Sequence, residues 1–170
     1  MNRPEKNEYA EFYAGYVALV EEPDIIAALR NQTADLQNLL AGVSAEKENY
    51  RYAEGKWSIR ELLGHIVDGE RVFSYRALRI SRGDETPLAG FEENFYVAGS
   101  NFSNVKLADT LEEFSLLRRS NVLLFKNLID EMWRRTGTAS DAAVSVSALA
   151  YIMVGHVRHH VNILQTRYLI

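Results

Sequence analysis

Near its C-terminus the chain reads Leu149-Ala150-Tyr151-Ile152-Met153-Val154-Gly155-His156-Val157-Arg158-His159-His160-Val161-Asn162-Ile163-Leu164. Leu149, Ile152, Met153, His156, His160, Ile163 and Leu164 recur three and four residues apart, which places them on roughly one face of a helix. His156 and His160 are one turn apart on that face, so the pair points into a core rather than at solvent. His159 is turned about 100° from His160 and is read as a rim or surface histidine. The chain has four histidines, and the fourth, His65, stands far upstream in Gly64-His65-Ile66-Val67-Asp68.

The inward pair has two readings. Both can be core histidines bonded to neighbours, which is the usual fate of a single inward imidazole. Two of them double the cost of burying a polar ring, and that cost calls for a reason. Joined by a third imidazole from another helix, they form a three-nitrogen set suited to Zn²⁺ or a similar divalent ion, with a coordination position left open. His65 is the histidine available for that place.

Working outward, the rest of the chain reads as a helical scaffold. Residues 8–20 are rich in Tyr, Phe and Val and are expected to form a short helix or ordered arm, within an arm spanning residues 1–22. Pro23-Asp24 opens a first long helix carrying Ile25, Ile26, Leu29, Leu36, Leu39 and Leu40, closed by Gly42. Ser58 and Glu61 have the spacing of a capping box, so a second helix is expected to run through His65 and Phe73 to about Ile80. Residues 83–108 form a long connection with Pro87, Gly90, Gly99 and several aromatics, expected to be packed down. Asp109 and Thr110 mark a third helix ending before Gly137. A small-polar stretch, Thr138 to Ser147, then leads into the last helix, about Val146 to Tyr168. Strand signals are weak, with no Asn-Gly or Asp-Gly turn. The expected fold is all-α: one domain, residues 1–170, a four-helix bundle with an N-terminal arm and a long crossover connection between helices 2 and 3.

Composition narrows the function. The 19 Lys and Arg against 23 Asp and Glu give a net charge of −4, spread along the chain, which argues against a nucleic-acid surface. No apolar run approaches the ~20 residues of a membrane span and no signal-peptide layout opens the chain, so a cytoplasmic protein is expected. With no cysteine, disulfides, thiolate ligands and a cysteine nucleophile are excluded, and sulfur chemistry would need an external thiol. Asp68, one turn beyond His65, is the candidate general base or orienting acceptor; its plainer reading is a solvated acid. Arg71, Arg76, Arg79 and Arg82 read as a solvated or salt-bridged face. Asn94, Tyr96 and the Trp57 region are candidates to line a pocket.

The chain resembles the DinB-like superfamily, in its YfiT-like branch of metal-dependent hydrolases and thiol transferases, over nearly its full length. The resemblance is carried by the Tyr-rich arm, Tyr50-Arg51-Tyr52 with Gly55-Lys56-Trp57-Ser58, and Gly64-His65-Ile66-Val67-Asp68 with Glu70-Arg71. Tyr75-Arg76-Ala77-Leu78, Pro87-Leu88 with Gly90-Phe91, and Gly155-His156 with His159-His160 and Arg167-Tyr168 complete it. It implies a four-helix bundle with one divalent metal ion per chain, nickel or zinc, on His65, His156 and His160. It also implies a homodimer and a small-molecule substrate attacked by water or a low-molecular-weight thiol, such as bacillithiol or mycothiol. Relatives often carry an acid directly after the first histidine of the pair, where this chain has Val157; that leaves Asp68 as the better candidate base. A non-catalytic bundle that binds a metal or small molecule, or that dimerises, is the alternative.

Overall fold

The computed structural model describes residues 3–169; residues 1 and 2 of the expected arm, and residue 170, lie outside the described residues. The helices are α1 (Ala14–Ala18), α2 (Ile25–Leu40), α3 (Ile59–Ser81), α4 (Glu93–Gly99), α5 (Leu107–Lys126), α6 (Asp130–Arg134) and α7 (Val146–Ile163). A hairpin, β1 (Thr136–Ala139) and β2 (Ala142–Ser145), precedes α7. The expected starts are made by local chemistry. The Asp24 carboxylate accepts the Ile26 and Ala27 amides, and Ser58 and Glu61 exchange both bonds of the capping box.

The long helices α2, α3, α5 and α7 form the bundle. Helix α3 packs on α5 and α7, and α2 packs on the same two, so α2 and α3 face each other across the diagonal. The buried apolar side chains fall into two clusters. One takes Ile25 and Leu29 of α2, Phe73 and Ile80 of α3, Val122 and Phe125 of α5, and Leu149 to Val154 of α7. The other takes Leu36 and Leu40, Leu62, Leu63, Ile66 and Val67, Leu107 and Phe114, and Val157 with Leu164. The order in which each helix crosses these clusters gives its direction: α2 and α7 run one way, α3 and α5 the other. Neighbours α3 and α5 are therefore parallel, and the chain must travel back the length of a helix between them. A 23-residue helix such as α3 is about 35 Å long at 1.5 Å per residue, which accounts for the long connection.

Between the clusters lies one polar layer contributed by all four helices. The guanidinium of Arg118 (α5), fully buried, donates from Nε and Nη2 to the two carboxylate oxygens of Glu70 (α3), both at 2.8 Å. Its Nη1 donates to Gln32 Oε1 (α2) at 2.6 Å, and Asn121 Nδ2 donates to Glu70 Oε1 at 2.7 Å. Gln32 Nε2 closes the layer on the Val154 carbonyl of α7 at 2.9 Å.

Three expectations change. The third helix ends at Lys126, not before Gly137, and begins at Leu107 rather than at Asp109. Leu107 donates its amide over 3.4 Å to Glu48, which also pairs with Arg60. After Lys126 the chain turns and restarts as α6, which stacks Trp133 on Phe125 with ring centroids 5.3 Å apart; eight residues along an unbroken helix they would be about 12 Å apart. The small-polar stretch is the hairpin. Its turn residues Ser140 and Asp141 have φ of 52° and 60°, the two left-handed positions of a type I′ turn, made here without Asn-Gly. Finally, α7 is buried on every side from Val146 to Val157 rather than on one face, because the arm covers the side away from the bundle. Gly155 makes this possible: a Cβ there would stand 2.0 Å from the Tyr16 carbonyl oxygen. No helix is long and apolar enough to cross a membrane among the described residues.

Removing one partner of a buried ion pair leaves the other charge desolvated. Arg118→Met is expected to lower unfolding stability by about 3–5 kcal/mol, measured by urea denaturation. Glu70→Gln combined with Arg118→Met is expected to recover a substantial part of that loss; equal loss in both variants would show that packing, not charge, is the cause.

Candidate metal centre

His65 faces α7 from the second turn of α3, and His156 and His160 face it in return. Their Nε2 atoms converge: His156 to His65 is 2.9 Å, and His160 to His156 is 3.2 Å. All three side chains are buried, and one ligand atom from each lies within 4.8 Å of the others. Glycine sets the approach. A Cβ at Gly69, one turn beyond His65, would stand 2.8 Å from Cε1 of His156. A Cβ at Gly64 would run into the Phe102 ring at 2.3 Å, so that ring seats the connection against α3 beside His65.

Burial, reinforced by the neighbouring histidines, pushes the pKa of His156 and His160 well below the usual value; burial and then His159 lower His65 to about 4. The three rings are therefore neutral near pH 7, the form in which imidazole offers a lone pair. Three neutral imidazoles cannot satisfy one another, because one Nε2 holds at most one proton. Nitrogens about 2.0–2.1 Å from one ion stand roughly 2.9–3.4 Å apart in octahedral or tetrahedral geometry, which matches the two contacts observed. The residues fit a divalent ion. The buried Nδ1 of His160 has no hydrogen-bond partner among the described residues, so ring packing against His65, His156 and His159 fixes its orientation.

The three histidines open on a cavity of about 510 Å³. Trp57 and Phe73 pack on the His65 and His156 rings, with centroids 4.8 and 5.6 Å away. The arm brings Tyr13 and Tyr16 to the same lining, with the Tyr16 ring centroid 5.6 Å from that of His156, and Phe91 and Glu93 come from the connection. Half-buried His159 lines the same cavity, its ring centroid 5.3 Å from that of Tyr16. Burial first, then the Glu93 charge, raises the pKa of the Tyr16 phenol.

Of the residues singled out in the sequence, the structure brings His65, His156, His160 and Trp57 together. Asn94 and Tyr96 are exposed and do not line this cavity: the Asn94 amide group bonds to Glu92, while Tyr96 packs against the outer side of Phe91. The helical turn that directs them outward presents Glu93 instead. Asp68 is half-buried with Arg71 and Glu113 as its charged neighbours; burial raises its pKa, and it is outside the cavity lining. Arg76 is buried and bonded to the Ala89 carbonyl and Ser140 hydroxyl, while Arg71 and Arg79 pair with Glu113 and Asp84. Val157 is 1 % exposed within an apolar cluster. Tyr16 and Glu93 carry no signal in the sequence, since each is placed by a segment remote from both histidine helices.

The DinB superfamily model matches residues 28–164, and the chain belongs to that superfamily. No curated protein matches it in sequence. Its fold is similar to that of YfiT from Bacillus subtilis, described as a probable metal-dependent hydrolase with an unusual four-helix bundle topology. The TM-score is 0.75 at 16% identity, over 94% of this chain and 87% of that one. It is also similar to a mycothiol-dependent maleylpyruvate isomerase, with a TM-score of 0.68 at 15% identity, over 85% of this chain and 61% of that one.

Gly69→Ala tests the close approach. The added methyl pushes the His156 ring off its position, and an expected 10- to 100-fold loss of Zn²⁺ affinity is read by competition with a chromophoric chelator. Unchanged affinity with a native circular dichroism spectrum would mean that the ring has room to move.

Proposed function

We propose that the protein is a metal-dependent enzyme that activates water or a low-molecular-weight thiol for attack on a small electrophile, by hydrolysis or S-transfer. One observation carries this reading: three neutral imidazole nitrogens converge at the wall of an open cavity of small-molecule size. A structural site would have its ligand nitrogens enclosed by protein. His65, His156 and His160 would hold one divalent ion, zinc or nickel. Such an ion supplies Lewis acidity, lowering the pKa of a coordinated water or thiol towards neutrality.

The remaining side chains act around that centre. Trp57 and Phe73 fix the His65 and His156 rings by packing, and the aromatic lining keeps bulk water from the reacting groups. For Asp68 the two expected roles are proton acceptor and orienting group; its position beside Arg71 and outside the cavity lining speaks against the first. The absence of cysteine means that the thiol in an S-transfer comes from solution. Homodimerisation belongs to this reading as an expectation from the family.

Elemental analysis of protein purified without a histidine tag tests the centre. About one zinc or nickel per chain is expected in the wild type, with loss of binding in His65→Ala and His156→Ala. No uptake by the wild type after incubation with either ion would overturn the proposal, as would full occupancy in His156→Ala. Asp68→Asn separates the two roles of that residue: an orienting group shows itself as weaker metal binding, and a base as slower turnover at unchanged affinity. A variant unchanged in both would have neither role.

A further inference from the structure

The part of the cavity wall supplied by the long connection carries one more chemical instruction. Among the described residues lining the cavity, Glu93 is the sole carboxylate, and no Lys or Arg reaches the lining. Glu93 is half-buried at the first turn of α4 and has neither hydrogen bond nor ion pair among the described residues. The adjacent Glu92 makes the capping bonds of α4, accepting the Asn94 and Phe95 amides, so Glu93 is not needed there. Arg76 stands behind the wall, its guanidinium over the Phe91 ring and bonded to the Ala89 carbonyl and Ser140 hydroxyl, and it does not pair with Glu93.

Six aromatic rings dominate the rest of the lining, Phe12, Tyr13, Tyr16, Trp57, Phe73 and Phe91, beside the small residues Ala10, Ala139, Ser140 and Ala142. Ring faces attract cations, more strongly as water is removed, and a carboxylate among them lacks a counter-charge. An anionic head-group near Glu93 would meet repulsion, and a neutral one would leave the carboxylate partly desolvated without repayment. A protonated amine satisfies both the carboxylate and the rings.

We propose that this cavity takes a small molecule with a cationic amine at one end, held by Glu93 among the aromatic rings. Its other end presents an electron-pair donor, such as a thiolate, carboxylate or carbonyl, to the histidine centre. The inference deepens the functional reading and rests on it for the second end alone. The amine end depends on Glu93 and the rings, and is present with or without a metal ion.

The experiment uses the full chain, first metal-free and then loaded with Zn²⁺. Three probes of matched size are titrated by calorimetry and ligand-observed nuclear magnetic resonance: 2-phenylethylamine, 2-phenylethanol and phenylacetate. On metal-free wild type the amine is expected to bind about tenfold more tightly than the alcohol, the equivalent of one good cation contact. Glu93→Gln is expected to remove that preference while leaving the affinity for the alcohol and the zinc content unchanged. Equal binding of amine and alcohol by the wild type would overturn the proposal, as would a preference that survives Glu93→Gln. In the zinc-loaded protein, a gain in phenylacetate binding reports on the metal end. A protein that takes no zinc yet keeps the Glu93-dependent amine preference would sink the catalytic reading and leave the amine site standing.

Discussion

The bundle depends on the buried pairing of Glu70 with Arg118. An unpaired charge at this depth is prohibitively costly, so the four helices can assemble only in the register that brings guanidinium, carboxylate, Gln32, Asn121 and the Val154 carbonyl to one level. Apolar side chains tolerate a shift of one turn far better, because one leucine can replace another against the same neighbour. The bidentate Arg118–Glu70 contact and the Gln32 bridge have no such tolerance. The layer sits where every long helix passes from one apolar cluster to the other, and it is the feature that distinguishes the two ends of the bundle.

That register is also what assembles the three-histidine cluster. Glu70 adjoins Gly69, whose missing side chain admits the His156 ring; Val154 lies two residues before His156 on α7. Fixing α3 against α7 through the polar layer thereby brings the His65 nitrogen to 2.9 Å from that of His156. The converging imidazoles contribute little to stability by themselves, since burial opposes their protonation and they cannot satisfy one another. Their placement is sustained by the layer beside them and by the Trp57, Phe73 and Tyr16 rings around them.

The arm and the long connection convert a bundle into a cavity. Parallel α3 and α5 require a return segment, and that segment supplies Phe91 and Glu93. The arm, seated on Gly155 and tied by Arg158 to the Leu19 carbonyl and Glu22, supplies Tyr13 and Tyr16. Each segment carries one short α-helix, α1 in the arm and α4 in the connection, and both contribute to the lining of the cavity on which the histidines open. This division of labour is common where a rigid scaffold holds the ligands and loops choose what reaches them.

Much of this was legible in the sequence because it is local. The Ser58/Glu61 capping box, the Asp24 cap, the spacing of His156 and His160, and the long connection are encoded within a few turns of chain, where periodicity and capping chemistry operate directly. The all-α fold follows from them. The break after Lys126 and the Ser140-Asp141 turn were not legible, since stacking Trp133 on Phe125 outweighs the helical pattern, and the turn lacks the residues that usually announce it. The sequence by itself determined the helices, their caps and an inward histidine pair awaiting a partner. Only the tertiary structure decided that His65 meets that pair, that Arg118 rather than a surface residue answers Glu70, and that Tyr16 and Glu93 face the cavity. These depend on contacts between segments far apart in the chain, set by the one register that leaves no buried charge unpaired.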